Sequence, residues 1–133
     1  MVRSISFLHR ALMIGAAKGK GRGVYTTKAL KAETVIEQSP VIVLSATDRK
    51  LLDKTLLHDY IFEWGENKSY CCMAMGYVPM YNHSFASNCE YHMDFMLAII
   101  TVKTVRPVVA GEELFINYNG DWDNKSPLWF AVK

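Results

Sequence analysis

The chain has 133 residues, 50% of them hydrophobic and 21% charged, with a formal net charge of +2. This profile excludes disordered and fibrous proteins and is typical of a single globular domain. A chain of this length hides roughly 65–70% of its extended surface on folding, so we expect it to be stable without disulfides or a structural metal.

The predicted elements are mostly short strands. Segments rich in β-branched, aromatic and apolar residues, bounded by turn-forming or charged residues, are expected to be strands at 24–27, 34–44, 60–64, 70–75, 97–105 and 114–118. One helix is expected after the second of them, with Asp48 as its N-terminal cap and leucines at helical spacing through Leu57 that would pack on the core. The sequence therefore predicts a mainly β fold.

A polar segment at 79–88 lies between two strongly apolar strands. It holds two Asn, two Ser and one His, which would need hydrogen-bond partners if they were buried. The segment is therefore either a surface loop or a ligand-binding network, and its composition alone favours the surface loop.

The charge is distributed unevenly along the chain. The first 32 residues carry seven basic side chains and no acid, so this part has a net charge of +7 and the remainder −5. Besides ordinary solvated surface charge, such a split suits either a nucleic-acid-binding arm or one domain with two sites for ligands of opposite charge. No recognised nucleic-acid-binding module is present, so we expect no direct nucleic-acid partner.

The cysteines and the apolar runs indicate the cellular compartment in which the protein is expected. Cys71, Cys72 and Cys89 are odd in number and lack paired CxxC spacing, which predicts free structural thiols, no metal site and a reduced, cytoplasmic compartment. The basic, acid-free beginning is also typical of a mitochondrial transit peptide. The longest apolar runs are far shorter than the roughly 18–20 residues that cross a bilayer, so no membrane partner is expected.

Three motifs carry candidate chemistry. The first, Lys-Gly-Lys-Gly-Arg-Gly at 18–23, precedes a strand, and its glycines would let the backbone approach a ligand closely. It lacks the Gly-Lys-Ser/Thr ending of a P-loop and the glycine spacing of a dinucleotide fingerprint. Alone it is typical of a basic turn between strands.

The second motif is Asn82-His83-Ser84 followed by Asn88. A carboxamide offers both a donor and an acceptor, so it can form hydrogen bonds with the edge of an adenine ring. His83 has neither a companion His at ligand spacing nor a nearby catalytic triad. The third motif, Gly-Glu-Glu-Leu-Phe-Ile-Asn-Tyr at 111–118, is by itself an ordinary turn leading into a strand that ends on Tyr118.

In this order and spacing, the three motifs resemble the signature of the SET-domain lysine methyltransferases over about residues 12–120. The compact form resembles small stand-alone SET proteins of bacteria and viruses. The resemblance implies one SET domain over residues 1–133 with an aromatic tail at 121–133. It also implies a β-clip-like fold of small curved sheets and few short helices, in which the 82–88 segment and the C-terminal stretch form a knot-like active site.

The resemblance further implies S-adenosylmethionine (SAM) as cofactor. Its methionine end would be held by the backbone of Lys20, Gly21, Arg22 and Gly23, and its amino group and adenine by Asn82 and His83.

The same resemblance places the catalytic end of the site. Tyr118 would lie beside the transferred methyl group, and Tyr91 would line the lysine channel and limit the number of methyl groups added. As a hypothesis, Trp129 or Phe130 closes that channel, with dimer packing or core anchoring as alternatives.

The expected reaction is methylation of a protein lysine. A lysine amine has an ordinary pKa near 10.4, so freeing its lone pair at neutral pH costs about 4–5 kcal/mol. Tyr118, whose phenol has an ordinary pKa of about 10, is better suited to orient the amine than to deprotonate it. The acidic part of the chain would attract a Lys-rich substrate such as a histone, a histone-like or a ribosomal protein. The alternative is a catalytically inactive SET-like interaction module.

Overall fold

The structure is a computed structural model that describes residues 5–17, 19, 21–66 and 68–119. The predicted residues Lys20, Trp129 and Phe130 lie outside the described part of the chain. Within that part the strands are β1 (Phe7–Leu8), β2 (Leu12–Ala17), β3 (Gly21–Thr26), β4 (Val35–Leu44), β5 (Phe62–Trp64), β6 (Tyr70–Ala74), β7 (Asn82–His83), β8 (Cys89–Asp94), β9 (Ile99–Thr104) and β10 (Glu113–Ile116).

The strands form two sheets. The larger has the order β5-β6-β4-β9-β8, with β1 also paired to β4. The smaller has the order β2-β3-β10-β7, and its last pair is parallel. Apolar side chains of both sheets meet in one core whose fully buried members include Val24, Ile36, Val78, Tyr81, Ile100, Val102, Leu114 and Ile116. The predicted mainly β fold is confirmed.

The helical segment differs from its prediction. Helix α1 spans Ala46–Leu52, and its cap is Ser45, whose Oγ accepts a hydrogen bond from the Asp48 N–H (3.2 Å). A separate 3₁₀ helix follows at Leu56–Asp59. Neither helix buries a residue, and the Leu51 and Leu56 side chains are 62% and 73% exposed. The predicted Asp48 cap and the predicted core packing of the leucines are therefore wrong.

The polar 79–88 segment is not a surface loop. It overlaps a 3₁₀ helix at Val78–Met80 and contains strand β7, and its Tyr81, His83, Ser87 and Asn88 are at most 4% exposed. Buried polar groups need hydrogen-bond partners, and these come from distant parts of the chain. The surface-loop interpretation is wrong because composition cannot reveal such partners.

None of the helices in the described residues is both long and apolar enough to cross a membrane.

Candidate active site

Strand β10 brings the three sequence motifs together. It pairs antiparallel with β3, where Glu113 faces Tyr25, and parallel with β7, where Phe115 faces Asn82 and Ile116 faces His83. A strand inserted between two others fixes the register of both. The glycine-rich segment, the Asn-His segment and the Gly-Glu-Glu segment therefore meet in one sheet.

Asn88 fastens the 82–88 segment to β10. Its Nδ2 donates to the Glu113 carbonyl (2.8 Å) and to Oε2 of Glu112 (3.0 Å), while its Oδ1 accepts from the Phe115 N–H (2.8 Å). The side chain is 2% exposed. All of its contacts are thus internal, and Asn88 holds the framework of the site.

The glycine-rich strand is packed tightly against Asn82 and Glu113. Asn82 Nδ2 donates to Glu113 Oε2 (2.8 Å) and to the Arg22 carbonyl (3.2 Å). A Cβ at Gly23 would lie 2.5 Å from Glu113 Oε2 and 2.8 Å from Asn82 Nδ2, so only glycine fits without displacing them. Gly21, just before, has φ +71°, a left-handed conformation that favours glycine.

Tyr118 is held against the Asn-His segment at both its backbone and its ring. The Tyr118 N–H donates to His83 Nδ1 (3.0 Å), and the two rings lie 5.1 Å apart. The Tyr118 hydroxyl donates to the Tyr81 carbonyl (2.6 Å). Burial, and then the neighbouring Tyr60, Asp59 and Glu113, raise the pKa of Tyr118 well above its ordinary value, so the hydroxyl stays protonated.

Tyr118 also lines a cavity of about 290 Å³, whose lining does not include His83. Tyr91 also lines it, and the Tyr91 hydroxyl donates to the Tyr118 carbonyl (3.4 Å). Phe62 packs edge-on against both rings, with centroids 5.4 Å from Tyr91 and 6.3 Å from Tyr118. The sequence thus predicted two of the aromatic residues around this cavity, which the structure brings together.

Other lining residues were missed from the sequence. They are chiefly Asp59, Tyr60, Phe62, Glu63 and Pro79. The spacing of Tyr60 and Phe62 in the expected strand was the available signal, because residues two apart share a face of a strand. That signal could not indicate which face borders a cavity.

The comparisons with known proteins agree with this geometry. A family model described as the SET domain matches residues 21–119. The chain belongs to the SET-domain family. The chain is 33% identical over 127 residues, 95% of its length and 81% of the relative's, to a Schizosaccharomyces pombe protein named histone-lysine N-methyltransferase, H3 lysine-37 specific.

Solved structures share the fold. A candidate histone methyltransferase of Plasmodium falciparum has a TM-score of 0.62 at 24% identity, with 86% of this chain and 98% of that one covered. A humanized mutant of the Chaetomium thermophilum Polycomb Repressive Complex 2, bound to the inhibitor GSK126, has a TM-score of 0.71 at 16% identity, with 87% and 16% covered.

The predicted SET fold and protein-lysine methyltransferase activity are confirmed. These relatives come from two fungi and from Plasmodium, and the resemblance to bacterial and viral stand-alone proteins stays a prediction. The one-domain boundaries and the roles of the individual site residues also stay predictions.

The residues around Gly23 fit SAM, the methyl donor of this family. SAM ends in an amino acid, so it needs an anionic or carbonyl partner for its ammonium group and a cationic or N–H partner for its carboxylate. The Glu113 carboxylate, the Arg22 carbonyl and the exposed Arg22 side chain supply such groups beside a strand that only glycine allows to pack this closely.

Proposed function

We propose that this SET-domain methyltransferase modifies a lysine of a histone or histone-like protein, and that the acceptor lysine enters the cavity lined by Tyr91 and Tyr118. One observation carries the proposal: Tyr118 contacts His83 of the Asn-His segment and also lines that cavity, which His83 does not line. A residue in this position can act where a bound cofactor and an entering lysine meet.

The cofactor side would consist of Gly21, Arg22, Gly23, Asn82 and His83. When bound, SAM supplies a methyl group activated by a positively charged sulfur. Gly23 lets the strand pack closely on Asn82 and Glu113, and Glu113 keeps the Asn82 side chain in one orientation. His83 is 4% exposed and its Nδ1 accepts from the Tyr118 backbone, so its imidazole positions Tyr118. Lys20 remains a candidate for the same end of the ligand.

The acceptor side combines aromatic walls with negative charge. Phe62, Tyr91 and Tyr118 form an apolar surface that would lower the pKa of an entering lysine and favour its neutral, nucleophilic amine. Asp59 and Glu63 also line the cavity, as does the cationic Lys68. Because Glu63 is paired with Arg49 (3.1 Å), Asp59 is the acid that would attract a cationic side chain. This combination supports a basic protein substrate, as does the histone H3 specificity in the name of the fission-yeast relative.

Tyr118 would orient the amine. A phenol oxygen donates one hydrogen bond and can accept others. Because the Tyr118 proton is directed to the Tyr81 carbonyl, the oxygen can accept an N–H of the acceptor amine. The amine's lone pair would then be turned away from Tyr118, as an in-line attack requires.

The free thiols support an intracellular setting for this activity. Cys71, Cys72 and Cys89 are unpaired and fully buried, and burial raises the pKa of Cys72 and of Cys89 to about 12. Disulfides are scarce in reducing compartments. We therefore retain a reduced, cytoplasmic location as part of the proposal.

The test uses the full chain with methyl-labelled SAM and purified recombinant histone H3, with a pool of ribosomal proteins as a second acceptor. We expect label on lysine of H3 with the wild type and a rate at least about tenfold lower with Tyr118→Phe. Tyr70→Phe, a change on a half-exposed side chain, is the matched control and should leave the rate unchanged.

The possible results are distinct. Label on ribosomal proteins alone would contradict a histone substrate. SAM binding by calorimetry without transfer to either acceptor would favour an interaction module. Failure to bind SAM would overturn the cofactor assignment.

A further inference from the structure

We propose that Glu37, a buried carboxylate outside the three motifs, is a positioning residue for methyl transfer. It fixes the side chain of Tyr81, and thereby the backbone carbonyl that orients the Tyr118 hydroxyl. The inference deepens the proposed function and rests on the role given there to Tyr118.

A bulge in β4 turns Glu37 into the core. Ile36 and Glu37 are consecutive strand residues, and regular alternation would place them on opposite faces. Both are fully buried, because the pairing of β4 with β9 shifts register between Val35 and Glu37. A bulge of this kind redirects a side chain at a chosen point of a sheet.

The Glu37 carboxylate is held by three donors, one on its own strand β4 and two at the ends of the 3₁₀ helix Val78–Met80. Oε2 accepts from the Ser39 hydroxyl (2.6 Å) and the Tyr77 N–H (2.8 Å), and Oε1 accepts from the Tyr81 hydroxyl (2.8 Å). Gly76 packs directly on this group, since its φ is +64° and a Cβ there would lie 2.2 Å from Oε2. The backbone of residues 76–77 is thus shaped around the carboxylate.

A buried carboxylate lowers the stability of the fold unless its hydrogen bonds are complete. Burial raises the pKa of Glu37, and the bonds from Ser39, Tyr81 and Tyr77 counteract that rise only in part. An apolar residue would fill the same space at lower cost. The arrangement is therefore more than core filling: it specifies where strand β4 meets the segment at 76–81.

Tyr81 links Glu37 to Tyr118 through two hydrogen bonds. It is fully buried, and both of its polar ends are used: its hydroxyl on Glu37 and its carbonyl on the Tyr118 hydroxyl. Asn82 follows it directly in the chain. Only the Tyr81 residue separates Glu37 from Tyr118, so a shift of the Tyr81 ring moves the carbonyl that aims Tyr118.

The first test is a double-mutant cycle with Tyr81→Phe and Tyr118→Phe in the full chain, with histone H3 as acceptor or, if H3 is not methylated, the protein pool that is. We expect Tyr81→Phe to lower kcat about tenfold, since small misplacements of reacting groups are expensive, with the Kd for SAM within about twofold of wild type. In the Tyr118→Phe background, Tyr81→Phe should lower kcat less than about twofold, because its effect on kcat is exerted through the Tyr118 hydroxyl. Equal losses in both backgrounds would overturn the proposal.

A second readout does not depend on methyl transfer. The Tyr118 ¹³Cζ resonance, assigned with Tyr118→Phe, reports the hydrogen bond of its hydroxyl. It should shift in Tyr81→Phe and in Glu37→Gln but not in the Tyr70→Phe control. If Glu37→Gln fails to fold, Ser39→Ala, which removes one donor from Glu37, should give a smaller shift in the same direction.

The two readouts separate the two proposals. An unmoved Tyr118 resonance in Tyr81→Phe overturns the positioning role. A moved resonance, with methyl transfer unaffected by Tyr118→Phe itself, supports the positioning of Tyr118 and refutes its proposed part in the reaction.

Discussion

The Tyr118 hydroxyl donates a 2.6 Å hydrogen bond to the backbone carbonyl of Tyr81, the residue just before Asn82. The Tyr118 N–H donates to Nδ1 of His83, two residues beyond Tyr81 (3.0 Å). Both ends of Tyr118 are therefore attached to one three-residue segment. The tyrosine ring and the Asn-His segment move as a unit, which couples the cavity side of the site to the proposed cofactor side.

Tyr118 should remain a neutral phenol throughout the working pH range. Burial, followed by Tyr60, Asp59 and Glu113, raises its pKa well above the ordinary value of about 10. The single-turnover rate should rise with pH as the acceptor amine loses its proton, with no decline up to about pH 10. Tyr118→Phe should lower the rate roughly 10- to 100-fold at every pH and keep the shape of the profile.

The profile is measured with saturating SAM and acceptor protein. A wild-type rate that fell below about pH 10, with no such fall in Tyr118→Phe, would mean that Tyr118 ionises and would contradict its role as a donor to Tyr81.

Gly23→Ala should weaken SAM binding more than it weakens folding. The added Cβ would lie 2.5 Å from Glu113 Oε2 and 2.8 Å from Asn82 Nδ2, so both side chains must move and their 2.8 Å hydrogen bond must break. We expect at least a tenfold rise in the Kd for SAM, about 1.4 kcal/mol, by calorimetry.

Gly19→Asn is the matched control for that change. A Cβ at Gly19 meets nothing within 4 Å, and Asn tolerates its left-handed φ of +74° better than most residues. Its Kd for SAM should stay close to wild type. If Gly19→Asn and Gly23→Ala raised the Kd for SAM equally, the conformation of the loop, rather than the space beside Glu113, would determine the affinity for SAM.

The strands rich in apolar and β-branched residues were predictable because those residues carry a local signal. Strand β4 was expected at 34–44 and spans Val35–Leu44. Strands β1, β2, β7 and β8 were missed. Strands β1 and β7 have two residues each, β2 contains a glycine and two alanines, and β8 mixes Cys, Glu, Tyr, His, Met and Asp. The polar residues of β7 are satisfied by residues 31 to 60 positions away: Asn82 by Glu113 and Arg22, and His83 by Tyr118.

The motifs could be assigned to a family, but their internal contacts could not be predicted. Glu37 shows why: in an apolar strand a charged residue is expected to face solvent, and only the bulge in β4 turns it inward. The cavity was missed for a similar reason. It requires Phe62 to meet Tyr91 and Tyr118, and nothing local to Phe62 encodes that contact.

Asn88→Ala should destabilise the fold and leave SAM affinity nearly unchanged. The buried Asn88 makes three hydrogen bonds to Glu112, Glu113 and Phe115, and its loss leaves the Phe115 N–H without its acceptor and the Glu112 and Glu113 oxygens without this donor. We expect a loss of about 3 kcal/mol in the free energy of unfolding, measured with urea.

Asn82→Ala is the contrasting variant. Its side chain is half-buried and contacts Glu113 and the Arg22 carbonyl beside the proposed cofactor site. It should raise the Kd for SAM and cost less stability than Asn88→Ala. If Asn88→Ala instead weakened SAM binding more than Asn82→Ala did, Asn88 would belong to the binding surface.

Glu112 should stabilise the protein at neutral pH and lose this effect in acid. Burial alone would raise the pKa of Glu112, but hydrogen bonds from Arg106 (2.7 Å), the Val109 N–H (3.1 Å) and Asn88 (3.0 Å) together lower it. Because the folded-state pKa lies below the unfolded value, the stabilisation is present above the unfolded pKa of about 4.3 and disappears as the pH falls through the folded pKa.

Glu112→Gln should therefore lower the free energy of unfolding by about 1 kcal/mol at pH 7, with the difference shrinking toward about pH 3. Glu33→Gln is the control, since Glu33 pairs with Lys103 at an exposed position (2.8 Å) where an ion pair contributes little. Urea unfolding of the three proteins across this pH range measures both effects. A difference between wild type and Glu112→Gln that grew on acidification would mean that the folded protein raises the pKa of Glu112, contrary to the hydrogen bonds around it.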